Sequence, residues 1–251
     1  MDDNNKPHIF QNIKDKIIDL DKFVFLTGAG ISKESGIPTF RGAEGLWRKY
    51  DPMKLASISG FYQDPKLVWE FYKDRQELIY NCSPNLGHVS IANFEKIKES
   101  SYVLTQNIDG LHEKAGSKNI IELHGNILKV ECTECNFKEK IKQKIEEPLP
   151  PICKKCKNIL RPSVILFGEP LNQEVWSKAE QISNNCDVMF IVGTSLKVGP
   201  VNQFPLYAKR NGAILIEVNP EPTTIFTELM DYSVQGSATE MLPQLLEIAQ
   251  K

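Results

Sequence analysis

The sequence predicts an α/β fold, a doubly wound parallel sheet with a small inserted metal-binding module. Three observations carry this. Short apolar runs alternate with helical patterns along most of the 251 residues, the mark of a parallel sheet covered on both faces. The first run, residues 22–27 (KFVFLT), ends in Gly28-Ala29-Gly30, a strand entering a glycine turn as at the opening of a dinucleotide-binding unit. Residues 130–161 are rich in Lys, Glu, Pro and Cys and poor in branched aliphatics, so a metal must supply the core they cannot build.

Taken in order, residues 8–20 place Ile9, Ile13, Ile17 and Leu20 at helical spacing. After the 22–27 strand, further buried strands are expected at 102–105 (YVLT), 164–167 (VILF), 188–192 (VMFIV) and 213–218 (AILIEV), with helices over 65–80, 87–98 and 173–183. The module is set by Cys132-x-x-Cys135 and Cys153-x-x-Cys156, with seventeen residues between the pairs. Each short knuckle can aim two thiolates at a common centre, which fits one tetrahedral zinc. Four thiolates fill the tetrahedron, whereas a catalytic zinc keeps an open position, so a structural zinc is expected. The large domain is expected over about 8–60, 84–129 and 162–251. The small domain is expected to combine about 61–83 with 130–161.

Composition excludes several classes. Hydrophobic content of 41% and charged content of 25% are ordinary for a soluble globular chain. A net charge of -2 and a pI near 6.1 argue against a nucleic-acid binder. No apolar run approaches the ~20 residues that span a bilayer, and the opening MDDNNKPHIF is too acidic and polar for a signal peptide. Four of the six cysteines have metal spacing, and Cys82 and Cys186 stand apart. Disulfides are therefore rejected and an intracellular, cytoplasmic location is expected, with mitochondrion and nucleus left open.

Residues 28–41 read GAGISKESGIPTFR. The third glycine follows the second by six residues rather than three, which disfavours an ordinary dehydrogenase fingerprint. Alone, the stretch fits a plain turn as well as a phosphate cradle. The blocks that follow, in order, are 105–112 (TQNIDGLH), 124–126 (HGN), the cysteine pairs, 167–169 (FGE), 193–195 (GTS) and 217–219 (EVN). Together, over about 22–240, they resemble the sirtuins, the NAD-dependent protein deacylases. Lys33 departs from the pattern, since the family often has a small residue there.

The resemblance implies a Rossmann-like large domain, NAD as co-substrate, one structural zinc, and acylated lysine side chains of proteins as substrate. No nucleic acid or membrane partner is implied, and a monomer is expected. In the first loop it assigns NAD contacts to Gly28, Ala29, Gly30, Ser32, Glu34, Ser35, Gly36 and Ile37. Phe40 shields the ribose after nicotinamide leaves, Arg41 binds phosphate, and Trp47 is a further NAD contact. Gln106 and Asn107 contact the ribose, Ile108 is a further NAD contact, and Asp109 holds the nicotinamide amide. Polar residues at the carboxyl end of a parallel strand are well placed for this, although Asn and Asp also form turns. Gly193, Thr194 and Ser195 cup the adenosine half. Asn219, with Glu217 close by, Glu221 and Ala238 complete it. His124 is the matched general base, because imidazole titrates near neutral pH. A single histidine is otherwise as well explained as structural. His112 is the rival candidate and is read as supporting, while His88 and His8 have no context.

One helix carries a clue to the acyl group. In 69–80 (WEFYKDRQELIY), Phe71, Leu78 and Ile79 define an apolar stripe on which Arg75 falls, and Tyr72 shares its face. An unpaired buried cation is costly, although a snorkelling arginine would explain the pattern too. Tyr-x-x-Arg resembles the sirtuins that remove succinyl and malonyl groups, and a guanidinium fork suits a carboxylate. A small residue at Ala43 leaves room for the longer acyl chain. The peptide is expected as an extended strand along 164–167, with Val164, Phe167 and Gly168 as contacts. The expected activity is desuccinylation and demalonylation, with weaker deacetylation, releasing nicotinamide and O-acyl-ADP-ribose. The alternatives are a zinc-ribbon binding module on an inactive scaffold and a mono-ADP-ribosyltransferase.

Overall fold

The computed structural model describes residues 6–41, 45–141, 145 and 148–250. Helix α1 (Lys6–Ile17) leads into β1 (Phe23–Thr27), and three helices follow, α2 (Pro52–Leu55), α3 (Ile58–Gln63) and α4 (Pro65–Asn81). Next come α5 (Leu86–Ile97), β2 (Tyr102–Thr105), α6 (Leu111–Ala115) and β3 (Ile120–Glu122). The middle of the chain forms β4 (Gly125–Cys132), β5 (Lys138–Lys140) and β6 (Leu160–Val164). It closes with α7 (Gln173–Asn184), β7 (Val188–Val192), α8 (Phe204–Arg210), β8 (Ile214–Asn219), β9 (Tyr232–Gln235) and α9 (Ala238–Ala249).

Six strands form one sheet in the order β3-β2-β1-β7-β8-β9, every pair parallel. All five residues of β1 are buried, because helices cover both faces. Alternate side chains go opposite ways. Phe23 and Phe25 join Ile13, Phe94, Phe190 and Leu242 on one face, while Val24 and Leu26 join Ala179, Met189, Phe204 and Ala208 on the other. The expected doubly wound sheet is present. The chain builds outward from β1 through β2 to β3, then returns on the other side of β1 as β7. The strand order therefore reverses between β1 and β7, and a crevice opens there beyond the carboxyl ends of the strands.

A second, antiparallel sheet has the order β5-β4-β6. Its own core joins Phe61, Val68, Trp69 and Tyr72 to Ile127, Val130, Leu160 and the buried Cys132 and Cys153. Helix α4 is anchored on it: Trp69 Nε1 donates to the Leu160 carbonyl at 2.7 Å and Gln76 Nε2 to the Ile127 carbonyl at 2.8 Å. Asp64 caps α4 by accepting from the Leu67 N–H, with Pro65 at the first helical position, where its missing donor costs nothing.

Three details differ from the sequence reading. The strand expected at 164–167 is shifted to Leu160–Val164 and includes Pro162. Proline argues against a strand in sequence, but β6 is an edge of its sheet, where proline is tolerated. The apolar stripe of α4 runs through Val68, Trp69, Phe71, Tyr72 and Ile79, whereas Leu78 is 40% exposed. The second sheet also begins at Gly125, before the 130–161 segment that the cysteines marked. No helix among the described residues is long and apolar enough to cross a membrane.

Candidate active site

A cleft of about 1430 Å³ opens at the β1–β7 crossover and extends to the second sheet. Its floor is the glycine turn. Gly28 N–H donates to the Val192 carbonyl at 3.0 Å and Gly30 N–H to the Gly193 carbonyl at 2.8 Å. A Cβ at Gly30 would lie 2.7 Å from Gly193 Cα and from its carbonyl oxygen. The two glycines are thus needed for close packing against the turn after β7, and their own N–H groups are spent on it. The N–H of Ala29, at the start of a 3-10 turn (Ala29–Ser35), is left without a partner among the described residues. Unpaired N–H groups at a helix start suit an anion such as phosphate.

Most of the residues singled out in sequence meet in this cleft. Gly28, Ala29, Gly30, Glu34, Phe40, Arg41 and Trp47 line it from the first loop, and Gln106, Asn107, Ile108 and His124 from the ends of β2 and β3. Gly193, Thr194, Ser195, Asn219, Glu221 and Ala238 line the opposite end, and Tyr72, Arg75, Val164, Phe167 and Gly168 the side toward the second sheet. Ser32, Ile37 and Asp109 instead line a 20 Å³ cavity behind Phe40, shared with Arg75, Asn107 and Ile108. Ser35 and Gly36 line neither. Ser35 accepts from Asn85 Nδ2 at 2.9 Å, and Gly36 caps the 3-10 turn in a left-handed conformation. Ala43 lies outside the described residues.

Backbone and side-chain contacts orient the polar groups. Gln106 Nε2 donates to Thr194 Oγ1 at 3.0 Å, and Asn107 Nδ2 donates to the Gly28 carbonyl and to Ser32 Oγ, both at 3.1 Å. Each amide therefore keeps its carbonyl oxygen as an acceptor for hydroxyl groups. Asp109 is buried; it accepts from Ser32 Oγ at 2.7 Å and from the Leu111 N–H at 2.9 Å. Burial raises its pKa, and those two donors work against the rise. Asn219 Nδ2 donates to the Thr194 carbonyl at 3.0 Å and to Glu217 at 3.2 Å. Glu217 is wholly inside, also accepting from Thr223 and Ser233, so it shapes the pocket without lining it.

His124 Nδ1 lies 3.0 Å from the Gln106 carbonyl, an acceptor that requires Nδ1 to carry the proton. Nε2 is thereby left free as a base. Burial lowers the pKa of His124, and the bond to Gln106 works the other way. His112 is buried and bonded through Nε2 to Thr27 Oγ1 at 3.0 Å, the supporting place expected of it. His88 had no context in sequence. It is fully buried, 3.4 Å from Ser32 Oγ, with its ring 4.9 Å from that of His112. The signal that could have revealed it is Asn85-x-x-His88, a helix-capping pair at the start of α5. Lys33 and Lys197 also line the cleft.

Toward the second sheet, Phe40, Trp47 and Phe71 form a ladder of stacked rings with centroids 5.3 and 6.3 Å apart. The Arg75 guanidinium lies 4.6 Å over Phe71, and its buried Nε has no partner among the described residues. Burial lowers the pKa of Arg75, and Tyr50, Tyr72 and Asp74 oppose that. Burial pushes the Tyr72 phenol well above its usual range, with Arg161 and Arg75 as the opposing charges, so Tyr72 remains a hydroxyl donor. The peptide edge expected along 164–167 is largely committed. Ile165 N–H donates to the His124 carbonyl at 2.9 Å, Phe167 N–H to the Ala56 carbonyl at 2.8 Å, and the Phe167 carbonyl accepts from Ile58 at 3.0 Å. Among the described residues the Gly168 N–H and carbonyl have no partner.

The sulfur atoms of Cys132, Cys135, Cys153 and Cys156 all lie within 4.8 Å of one another, with contacts of 3.3 and 3.7 Å. Tetrahedral zinc with Zn–S bonds near 2.3 Å requires sulfurs about 3.8 Å apart, so this donor set fits one structural zinc.

Comparisons with known proteins agree with this geometry. Residues 28–200 match the Sir2 family model. The chain is 47% identical to NAD-dependent protein deacylase 2 of Pyrobaculum aerophilum over 236 residues, covering 94% of both chains. A crystal structure of a Sir2 homolog–NAD complex superposes with a TM-score of 0.90 at 40% identity, covering 95% of this chain and 93% of that one. A Sir2–p53 peptide–NAD+ structure superposes with a TM-score of 0.83 at 33% identity, covering 95% and 97%. The chain belongs to the Sir2 family of NAD-dependent protein deacylases.

Proposed function

We propose that this protein removes succinyl and malonyl groups from protein lysines, using NAD, in preference to acetyl groups. The observation that carries the acyl preference is Arg75. Its guanidinium is fixed on the Phe71 ring inside the cleft, its buried Nε lacks a partner among the described residues, and the neutral Tyr72 hydroxyl lines the same wall. A half-buried cation with an open donor is stabilised by an incoming carboxylate. A hydrogen bond to a charged group contributes ~1.5–3 kcal/mol, enough for roughly ten- to hundredfold preference.

Bound NAD supplies the ribose carbon that accepts the acyl oxygen and the nicotinamide that departs. The chain's own residues do the rest. Ala29 N–H and Arg41 hold phosphate. The acceptor oxygens of Gln106 and Asn107 hold ribose hydroxyls, while Asp109, in its small cavity, holds the nicotinamide amide. His124 Nε2, neutral at pH 7, removes a hydroxyl proton from the ribose. Phe40, stacked on Trp47, shields the site from water. The acyl-lysine enters along the aromatic wall from a peptide docked at Gly168, as an extended strand whose backbone pairing carries little sequence preference.

The test is one peptide carrying acetyl-, malonyl- or succinyl-lysine, incubated with NAD. Nicotinamide and O-succinyl-ADP-ribose should appear, with kcat/KM at least tenfold higher for the acidic acyl groups. Arg75→Met should abolish that difference while leaving deacetylation within about threefold. Absence of nicotinamide release with every peptide would overturn the deacylase reading, and ADP-ribose attached to protein would replace it with a transferase. Equal loss of all acyl activities in Arg75→Met would overturn the acyl preference alone.

A further inference from the structure

Glu169 ends the cleft-lining segment that starts at Val164, and its carboxylate is held by a residue that does not touch the cleft. Arg161, 8% exposed in β6, donates to Glu169 through both terminal nitrogens, Nη1 to Oε1 at 2.5 Å and Nη2 to Oε2 at 2.7 Å. The same Nη2 donates to the Val164 carbonyl at 2.9 Å, and Glu169 Oε2 accepts from the Leu166 N–H at 2.7 Å. The guanidinium lies 5.8 Å over the fully buried Phe61 ring, and its Nε is 3.8 Å from Glu131. Each partner shifts the other toward its charged form, the arginine upward and the carboxyl downward, against the cost of burial. Such a fork-to-carboxylate pair is among the strong hydrogen-bonded arrangements.

These bonds converge on one turn. They hold the 164 carbonyl, the 166 N–H and the 169 side chain, while the backbone of Phe167 is gripped from the other flank by Ala56 and Ile58. Between the two grips lies Gly168, with a left-handed φ of 91° and both backbone groups free among the described residues. A pair that only stabilised the fold could tie any two elements together. This one makes all its side-chain hydrogen bonds within nine residues, on the stretch that presents Phe167 and Gly168 to the cleft.

We propose that Arg161 and Glu169 are a positioning pair for substrate: they hold residues 166–168 in the geometry that docks the peptide, without touching cofactor. This rests on the deacylase reading but not on any acyl preference. Glu169→Ala should raise the peptide KM about tenfold, leave kcat within threefold and leave the Kd for ADP-ribose, measured by calorimetry, within twofold. Glu169→Gln still offers an oxygen to the Leu166 N–H, and should restore the peptide KM to within about threefold of wild type. Arg161→Lys keeps the charge but lacks the planar fork that meets both Glu169 oxygens, and should raise the peptide KM severalfold; it carries the test if Glu169→Ala does not fold. An unchanged peptide KM in folded Glu169→Ala or Arg161→Lys, or a parallel loss of ADP-ribose affinity, overturns the positioning role. A wild-type enzyme that binds ADP-ribose but no acyl-lysine peptide overturns the deacylase reading with it.

Discussion

His124 Nδ1 is 3.0 Å from the carbonyl oxygen of Gln106, so one backbone bond sets both the tautomer and the direction of the only cleft-lining histidine among the described residues. Gln106 also directs an amide at the same cleft, so one residue both orients the histidine and adds a polar group beside it. Removing the imidazole should remove the chemistry and spare binding. His124→Ala is expected to lower kcat by about 10²–10⁴, the usual range for a general base, with ADP-ribose affinity within twofold. Because burial lowers the pKa of His124, the acid limb of kcat/KM should fall below the ordinary imidazole value of about 6.5. A limb centred at or above that value would remove His124 from the role.

Zinc removal should act on folding. Cys132 and Cys153 are buried in the apolar core shared by α4 and the second sheet, and structural zinc supplies ~10–16 kcal/mol to a small fold. Stripping the metal with a chelator, or Cys132→Ala, should release one equivalent of zinc and lower the melting temperature, with activity lost in step. A variant that keeps its melting temperature while its chemical step fails would contradict the structural assignment.

Acid should destabilise the protein through two buried histidines that do not line the cleft. Burial holds His88 at a pKa of about 4. His112 is lowered well below the ordinary value by burial, with the nearby His88 adding to it. Both titrate near 6.5 when unfolded. Their folded pKa values are depressed, so their stabilisation is fully present above pH 6.5. For His88 it is lost as the pH falls toward 4, amounting to about 3 kcal/mol there. Urea midpoints measured from pH 7.5 to 4 should therefore fall, and His88→Gln should flatten part of that slope. An identical slope in the variant would assign the loss to other groups.

The large sheet is legible in the sequence because its strands are continuous apolar runs, such as 188–192, buried on both faces. The zinc module is legible because metal spacing is local. Less legible is whatever depends on contacts between distant segments. Pro162 hides β6, whose position at a sheet edge cannot be read from the sequence alone. Leu78 looks like core because helical spacing shows a stripe and not its width. His88 offers only a capping pattern, and its place beside Ser32 and His112 arises from three separate segments meeting. The family blocks name nearly half of the cleft lining, yet they miss that Glu169 is held by Arg161, a residue eight positions away on a strand that the apolar pattern misplaces.

The glycine turn gives the sharpest structural test, because its packing adds a second role to the one its sequence suggests. In sequence, Gly30 is a place for phosphate to approach. In the fold it also lets a neighbouring backbone approach: a Cβ there would meet Gly193 Cα and its carbonyl oxygen at 2.7 Å. Neither atom can rotate away as a side-chain tip could. Gly193 is equally constrained, with a left-handed φ of 59° and only 2.5 Å between an added Cβ and the Ile31 nitrogen. Gly30→Ala must therefore push β1 and β7 apart at the crossover, costing the ~1–3 kcal/mol typical of overpacking. It should also break the 2.8 Å bond from Gly30 N–H to the Gly193 carbonyl. The free Ala29 N–H rides on the same turn, so ADP-ribose affinity should drop at least tenfold along with a lower melting temperature. Gly36→Ala is the control. It has nothing within 4 Å of its Cβ and lines no cavity, so its strain is conformational only. It should lower stability while leaving ADP-ribose affinity within about threefold. Equal affinity losses in the two variants would mean that the turn acts through general destabilisation and not through its packing on Gly193.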